Sequence, residues 1–307
     1  MKKYYYIRKD TNMSKYLELV GGSLNESHFN KQTSQYPYVA YSIKDNQVIY
    51  TIIPEPAVNG PWVTFTAEEA NSTIGLAKLS PNQTLEYSTD ITTWNTFDTT
   101  TNISLNNGDK VYIRGMLSAN NDTSNYTQFK MNGKIAASGN CNAIWNYEDL
   151  NAPLKNYCGR RLFCNCKSLT KAPELPATTL ASCCYSNMFY GCTSLTAAPK
   201  ILPATTLNDY CYQNMFDNCT SLTTAPELPA TTLASKDYNC YAYMFRDCTN
   251  LNYIKCLATY ISNSSCIDKW VYNVSPTGTF VKHPDMNNWT TGTEGIPSGW
   301  TVEDAVL

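Results

Sequence analysis

The sequence predicts a multidomain, mainly β protein with short helices: an N-terminal β-hairpin element, a β-sandwich and then a short solenoid. Three observations predict it. Aromatic, cysteine and leucine residues recur together at intervals of 26, 27 and 29 residues in the second half of the chain. Alternating apolar and polar runs fill residues 62–150, and two similar runs flank a short polar segment before them. At 307 residues the chain is long enough for two or three domains.

Composition excludes several classes of protein. The chain is 43% hydrophobic and 16% charged with a net charge of -2, so we expect no broad phosphate-binding field and no nucleic-acid partner. Its apolar runs are far shorter than the ~20 residues of a membrane-spanning helix, so no membrane insertion is expected. The only two histidines, His28 and His283, leave few routes to acid–base or metal catalysis near neutral pH.

The N-terminal half divides at a linker. Residues 1–53 form a Tyr-rich element in which YPYVAYSIKDNQVIYTII places two alternating runs around KDNQ, a hairpin signature. Three prolines and a glycine at 54–61 predict the linker. Stretches such as WVTFT and ISLNNGDKVYIRGML, with Asn-Gly turn signals at 107–108 and 132–133, predict a small β-sandwich over 62–150.

Residues 151–274 form the predicted solenoid, because periods of 20–29 residues with fixed apolar positions are typical of stacked repeats. A lone repeat cannot bury its large side chains, and burying each Phe or Leu contributes roughly 1.5–3 kcal/mol. We therefore expect the recurring residues to point inward and cover one another. They are Phe163, Phe189, Phe216 and Phe245; Cys166, Cys192, Cys219 and Cys248; and Leu169, Leu195, Leu222 and Leu251.

Each repeat has three predicted parts. The C-Y-x-x-M-F stretch has apolar residues at helical spacing, which favours a turn or two of helix. Prolines such as Pro226 and Pro229 prevent that helix from continuing. The S-L-T segment alternates and predicts a short strand that pairs in parallel with its neighbours. A fifth, partial copy places Trp270 and Val271 at the Met-Phe positions, and residues 275–307 are predicted to cap the solenoid.

Thirteen cysteines admit two interpretations. One is a secreted disulfide scaffold. The other is that cysteine serves as a small buried residue in a reducing compartment, and the regular spacing of the cysteines favours it. The basic start is followed by only a short apolar run, which Arg8, Lys9 and Asp10 interrupt, so we expect no export by a usual signal peptide.

No catalytic or cofactor site is predicted. The pairs at 164/166 and 183/184 lack the second C-x-x-C pair or histidines of a structural zinc site. A cysteine nucleophile would need a nearby base, and both histidines lie outside the repeats. The acidic residues of the predicted sandwich are typical of a solvated surface; they are Glu68, Glu69, Glu86, Asp90, Asp98 and Glu148.

Binding is the predicted chemistry instead. The positions that flank Met-Phe differ between repeats, and solenoids expose such positions. Their Tyr, Arg, Asn and Asp side chains suit aromatic stacking and hydrogen bonding to a glycan or a protein, although they suit a merely solvated face equally well. The candidate ligand-contacting residues are Arg160, Arg161, Tyr190, Asp217, Tyr243 and Arg246.

The repeat resembles the BspA-type (Treponema-like) leucine-rich repeats, which are common in surface proteins of gut Bacteroides and in their phages. The resemblance rests on M-F-x-x-C-T-S-L at 188–195 and 215–222 and on L-P-A-T-T-L at 175–180, 202–207 and 228–233. The first copy departs from it, with Leu162 in place of Met. The resemblance implies a leucine-rich-repeat solenoid that serves in adhesion or recognition rather than as an enzyme.

The whole layout resembles a head or tail fibre, or capsid decoration, of Bacteroides-infecting crAss-like phages. That resemblance implies a virion protein, made in the host cytoplasm, whose N-terminus docks on other virion proteins and whose repeats contact a bacterial surface glycan or protein. Such fibres are often trimeric, so it also implies a homo-oligomer. A bacterial cell-surface adhesin is the alternative, and a carbohydrate-active enzyme that uses the sandwich is a third interpretation.

Overall fold

The computed structural model describes residues 39–44, 47–52, 60–233 and 239–306. The protein is mainly β and divides into two compact units, residues 1–58 and 59–307. In the described ranges no helix is both long and apolar enough to cross a membrane. Most of the expected N-terminal element and of the linker at 54–61 lies outside the described residues.

The first unit contains the predicted hairpin. Strand β1 (Val39–Lys44) pairs antiparallel with β2 (Gln47–Ile52), and the register places Val39 opposite Ile52 and Lys44 opposite Gln47. The two alternating runs in the sequence are thus two paired strands, which confirms the hairpin prediction.

The second unit begins with two sheets. Their strands are β3 (Val63–Ala67), β4 (Ser72–Lys78), β5 (Gln83–Ser88), β6 (Asn95–Thr96), β7 (Asn102–Leu105), β8 (Lys110–Leu117), β9 (Gln128–Asn132), β10 (Ile135–Ser138) and β11 (Leu169–Lys171). A six-stranded sheet has the order β11-β10-β3-β8-β5-β6, and a three-stranded sheet has the order β7-β4-β9. This arrangement fits the expected β-sandwich only loosely, because β11 comes from the repeat region.

The sheets and the repeats share one hydrophobic core. Strand β10 pairs in parallel with β11, with Ile135 opposite Leu169, across the expected domain boundary at residue 150. The ring of Phe129, in β9, stacks on the ring of Phe163 with centroids 5.1 Å apart and planes 14° apart. Strand β9 therefore packs against the first repeat as each repeat packs against the next.

Consecutive repeats, here called repeats 1 to 4 after Phe163, Phe189, Phe216 and Phe245, lie side by side. All twelve of the recurring Phe, Cys and Leu side chains listed from the sequence are buried. The phenylalanine rings stack face to face, with centroids 5.4, 5.4 and 5.7 Å apart and planes within 5–9° of parallel. Stacking of this kind covers both faces of each inner ring, which a single repeat cannot do.

The helix predicted for C-Y-x-x-M-F is wrong. In the described part of the chain the helical elements are two four-residue 3-10 helices, Cys141–Ile144 and Ser264–Ile267, the second in the partial fifth copy. In repeats 1 to 4, successive backbone N–H groups donate alternately to a carbonyl of the next repeat and to a carbonyl of their own repeat. The N–H of Tyr185 donates to the Cys211 carbonyl of the next repeat, whereas the N–H of Ser186 donates back to Cys183.

Left-handed backbone explains why no helix forms there. Every fourth residue has a positive φ of 54–60°, or 71° at Gly191 and 69° at Asn239, so the backbone leaves the right-handed region before a helical turn can continue. The stretch becomes a series of tight turns whose remaining N–H groups bridge to the neighbouring repeat. The left-handed residues are Tyr157, Arg161 and Asn165 in repeat 1, Cys183, Asn187 and Gly191 in repeat 2, Tyr210, Asn214 and Asn218 in repeat 3, and Asn239, Tyr243 and Asp247 in repeat 4.

The second cysteine of each repeat has a specific partner. The thiol of Cys192 donates to the backbone carbonyl of Phe163 at 3.1 Å, and those of Cys219 and Cys248 donate to the equivalent carbonyls one repeat back at 3.1 and 3.0 Å. Cys166 makes the same bond to the Phe129 carbonyl in β9 at 3.3 Å. No cysteine among the described residues forms a disulfide. The thiol therefore fills space and also satisfies a buried acceptor.

The C-terminal strands continue the parallel pairing. They are β12 (Thr232–Leu233), β13 (Tyr253–Cys256), β14 (Tyr260–Ile261), β15 (Thr279–Lys282) and β16 (Thr301–Asp304), paired as β12-β14 and as β13-β15-β16. Trp289 stacks on Trp270 with centroids 5.6 Å apart, and the Trp270 indole N–H donates to the Gly295 carbonyl at 2.9 Å. The tail thereby covers the last aromatic ring of the repeats.

Replacement of a central ring tests the stacked core. Phe216→Ala removes contacts on both ring faces, and we expect a loss of about 3–5 kcal/mol in the free energy of unfolding. Urea unfolding followed by circular dichroism measures it. Tyr260→Ala, at a side chain that is 58% exposed, is the control and should cost less than about 1 kcal/mol. Equal losses for the two variants would contradict the core assignment.

The left-handed backbone at Asn218, whose φ is 60°, predicts that this position tolerates glycine better than alanine. Alanine resists this conformation and glycine does not, so Asn218→Ala should unfold about 1 kcal/mol more easily than Asn218→Gly. Thermal or urea unfolding of the two variants measures the difference. Greater stability of the alanine variant would mean that the turn is not left-handed.

Thiol reactivity tests the burial of the cysteines. Eleven are buried, and only Cys164 and Cys183 are partly exposed. Burial raises the pKa of Cys158 and of Cys211 to about 12, so at pH 8 about one such thiol in ten thousand is a thiolate. Ellman's reagent at pH 8 should therefore react with at most two thiols in the folded protein and with thirteen after denaturation. Rapid reaction of more than two native thiols would refute the assignment.

Candidate functional site

Nine side chains line a groove of about 480 Å³ along repeats 1 to 4, here called the repeat groove. All nine are polar or aromatic, and none is aliphatic or acidic. They are Tyr126, Gln128, Arg161, Cys164, Asn165, Asn187, Tyr190, Asn214 and Arg246. The groove is thus suited to a polar ligand rather than to an apolar one.

The turn pattern places these side chains in columns. Arg161, Asn187 and Asn214 occupy the same left-handed position in successive repeats, and the column three residues later contributes Cys164, Tyr190 and Arg246. Neighbouring backbones joined by hydrogen bonds lie about 4.8 Å apart, so each column presents one side chain at that interval. Residues far apart in sequence therefore line one continuous groove.

Tyr126 and Gln128 complete one end of the groove from outside the repeats. Gln128 lies in β9, and its side-chain amide donates to the Cys164 carbonyl at 2.7 Å, which holds it against repeat 1. Two cations lie near the ring of Tyr126: the Lys78 ammonium is 4.2 Å from its centroid and the Arg161 guanidinium 5.3 Å. This end of the groove is therefore rich in positive charge.

Arg160, a predicted ligand-contacting residue, belongs to the same cluster but does not line the groove. Its guanidinium lies 5.9 Å from the Tyr126 centroid and donates to the Thr123 carbonyl at 2.8 Å. Partial burial, together with the neighbouring Arg161, lowers the pKa of Arg160 from its ordinary value. Its role is thus to add positive charge near Tyr126 and to hold the adjacent loop.

The other end of the groove is formed by Arg246 and a buried carboxylate. Asp217 is only 1% exposed, pairs with the Arg246 guanidinium and accepts a hydrogen bond from the Asn214 amide at 2.8 Å. Burial raises the pKa of Asp217, although both of these partners favour its charged form. The prediction that Asp217 contacts a ligand is therefore corrected: its side chain is covered, and it positions Arg246.

Tyr243 supports Arg246 from a neighbouring position. Its ring centroid lies 4.9 Å from the Arg246 guanidinium, and its hydroxyl donates to Asp268. That hydrogen bond raises the pKa of Tyr243 above its ordinary value. Tyr243 is partly exposed but does not line the groove, so the groove unites three of the six predicted residues: Arg161, Tyr190 and Arg246.

Sequence reasoning missed Tyr126 and Gln128. Both precede the first repeat, where no repeat comparison could reveal them, and only the stacking of β9 on repeat 1 brings them to the groove. Asn187 and Asn214 are among the variable positions beside Met-Phe that the repeat comparison indicates, although they are not among the six candidates, and Asn165 was missed. Their signal was present, because asparagine at a regular spacing is the ordinary sign of left-handed turns.

A second cavity of about 580 Å³ lies between residues 140–154 and 176–181. Asn142 faces it, is 5% exposed and donates its amide to the Leu150 carbonyl at 2.8 Å. Most of its other lining residues are Ala, Pro, Leu and Thr, and none carries a charge. It offers fewer groups for recognition than the repeat groove.

The described residues hold no converging group of three or more His, Cys, Asp or Glu side chains that would bind a metal ion. His283 lies in the tail, where its Nδ1 accepts the Asp285 backbone N–H at 3.1 Å. The groove itself contains neither a histidine nor a carboxylate among its lining residues. Its chemistry is that of hydrogen bonding, aromatic contact and positive charge.

Comparison with protein-family models, with curated proteins and with solved structures found no match to this chain. The functional conclusions below therefore rest on the residues and geometry of the protein itself.

Proposed function

We propose that this chain is a non-enzymatic recognition protein of a phage virion, a head or tail fibre or a capsid decoration. Its repeats would form a BspA-like leucine-rich-repeat solenoid that contacts the bacterial host surface, after a β-sandwich that carries them. The single observation that supports this most is the repeat groove, in which aromatic, amide and guanidinium groups from four repeats converge without a catalytic group among them.

Rigidity makes such a groove suitable for binding. Its side chains stand on backbone that hydrogen bonds to both neighbouring repeats and on rings stacked at 5.4–5.7 Å. A binding surface that is already ordered loses less conformational entropy when the ligand binds. The ion pair between the buried Asp217 and the partly exposed Arg246 adds to this order by fixing one guanidinium before any ligand arrives.

The proposed partners are other virion proteins, which the N-terminal element would contact, and a glycan or protein of the bacterial surface. A homo-oligomer, with three copies as the expected number, would present several grooves at once. Several weak sites on one particle raise the overall affinity without any new contact in each site. An individual groove therefore need not bind tightly for the particle to attach.

Adsorption measurements test this function. The purified protein should bind host cells and reduce adsorption of the parent phage, and Tyr190→Ala together with Arg161→Asn should weaken both effects at least tenfold. Tyr260→Ala, an exposed tyrosine outside the groove, is the control and should change neither. Unchanged binding by the groove variant would contradict the assignment of this surface.

Mass spectrometry of purified particles separates the virion protein from the cell-surface adhesin. We expect peptides of this chain in the particles at a constant ratio to the other virion proteins. Their presence only in the outer-membrane fraction of a bacterium would favour the adhesin. Release of reducing ends from a polysaccharide by the purified protein would instead support an enzyme and contradict the proposal.

A further inference from the structure

The charge of the repeat groove differs from that of the chain. The whole protein has a net charge of -2, yet the nine lining residues include two arginines and no carboxylate. Two carboxylates lie beside the lining, the covered Asp217 and the partly exposed Asp247, and both are close to Arg246. An anionic ligand would therefore meet positive charge in the groove although the protein as a whole is slightly negative.

The two arginines are not equivalent. Arg246 is paired with the buried Asp217 and lies 3.8 Å from the Asp247 carboxylate, so these two carboxylates compensate its charge. In the described part of the chain no carboxylate lies within 4.0 Å of Arg161, whose side-chain contact is with the Tyr126 hydroxyl at 3.4 Å. Arg160 and Lys78 adjoin the same tyrosine ring. Asp122 lies near enough to Lys78 for that ammonium to lower its pKa, so Lys78 is partly compensated. The uncompensated positive charge at this end is thus that of Arg161, with Arg160 beside it.

Other features favour a saccharide over a peptide or a lipid. The backbone N–H groups of the repeats already donate within or between repeats, so a peptide cannot add as a further strand along the groove. No aliphatic side chain lines the groove to receive an acyl chain. Four amide side chains, which both donate and accept hydrogen bonds, line it together with two tyrosines, a combination that suits hydroxyl-rich rings.

We propose that the repeat groove binds an acidic polysaccharide that lies along the stack of repeats, with a sugar carboxylate held by Arg161. Three repeat intervals separate Arg161 from Arg246, a distance of about 14 Å along the backbone, which accommodates a short oligosaccharide. A guanidinium binds a carboxylate through two parallel charge-assisted hydrogen bonds. This inference rests on the proposed function, because it names the ligand class of the same groove.

Calorimetric titration with charge-matched saccharide pairs tests the inference. The probes are tetragalacturonic acid, a hyaluronan tetrasaccharide and tetrameric sialic acid, each beside its methyl-esterified, uncharged counterpart. We expect at least one acid to bind tenfold or more tightly than its ester at 50 mM salt. The difference should shrink at 500 mM salt, because the groove is open to solvent and its charges are screened.

Arg161→Asn is the decisive variant. Asparagine favours the left-handed conformation that residue 161 adopts, with φ of 58°, so the variant removes the charge without straining the turn. We expect it to bind the acid no better than the ester. Lys200→Gln is the matched control: it removes one exposed positive charge outside the groove and should leave the tenfold preference intact.

Three results would overturn the inference. They are equal binding of every acid and its ester, retention of the preference in Arg161→Asn, and tighter binding of poly-glutamate or of phosphatidylglycerol vesicles than of any acidic saccharide. Failure here is distinguishable from failure of the proposed function. If the protein still binds host cells through the groove, only the ligand class is wrong, and if groove variants leave cell binding unchanged, both proposals fail.

Discussion

The structure depends on the close approach of neighbouring repeats. A repeat of 26–29 residues has too little chain to enclose its own phenylalanine, so each ring is covered by the rings before and after it. Backbone hydrogen bonds hold neighbouring repeats about 4.8 Å apart. Rings whose centroids are 5.4 Å apart fit this spacing because they stack with a small sideways offset. The cysteine thiol beside each ring is small enough to allow it and bonds to a carbonyl of the previous repeat.

The same constraint shapes the groove. Left-handed turns direct alternate N–H groups toward the next repeat, and they also turn successive side chains outward in fixed columns. Arg161 and Asn214 are brought to one surface for this reason, although 52 residues lie between them in the sequence. The buried Asp217 is costly to desolvate, and its pairing with Arg246 offsets that cost while it fixes the guanidinium at the groove.

Much of this could be predicted from the sequence. Alternation revealed the hairpin β1–β2, and spacing alone identified residues such as Phe216 and Cys219 that are buried. Apolar spacing could not reveal the turns, because the spacing of Tyr185, Met188 and Phe189 is also the spacing of apolar residues on one face of a helix. What distinguishes them is φ at Asn187 and Gly191, a local backbone property. Tyr126 was inaccessible to any such argument, because only tertiary packing of β9 brings it to the groove.

Deletion of one whole repeat tests the stacking account most directly. Removal of residues 190–216 joins Phe189 to Asp217 in phase, so every remaining ring and thiol keeps a partner of the same kind. We predict that this variant melts cooperatively with native-like circular dichroism, whereas removal of residues 190–202 alone, about half a repeat, leaves it unfolded. If the two deletions were equally disruptive, or equally tolerated, the repeats would not be held together as described.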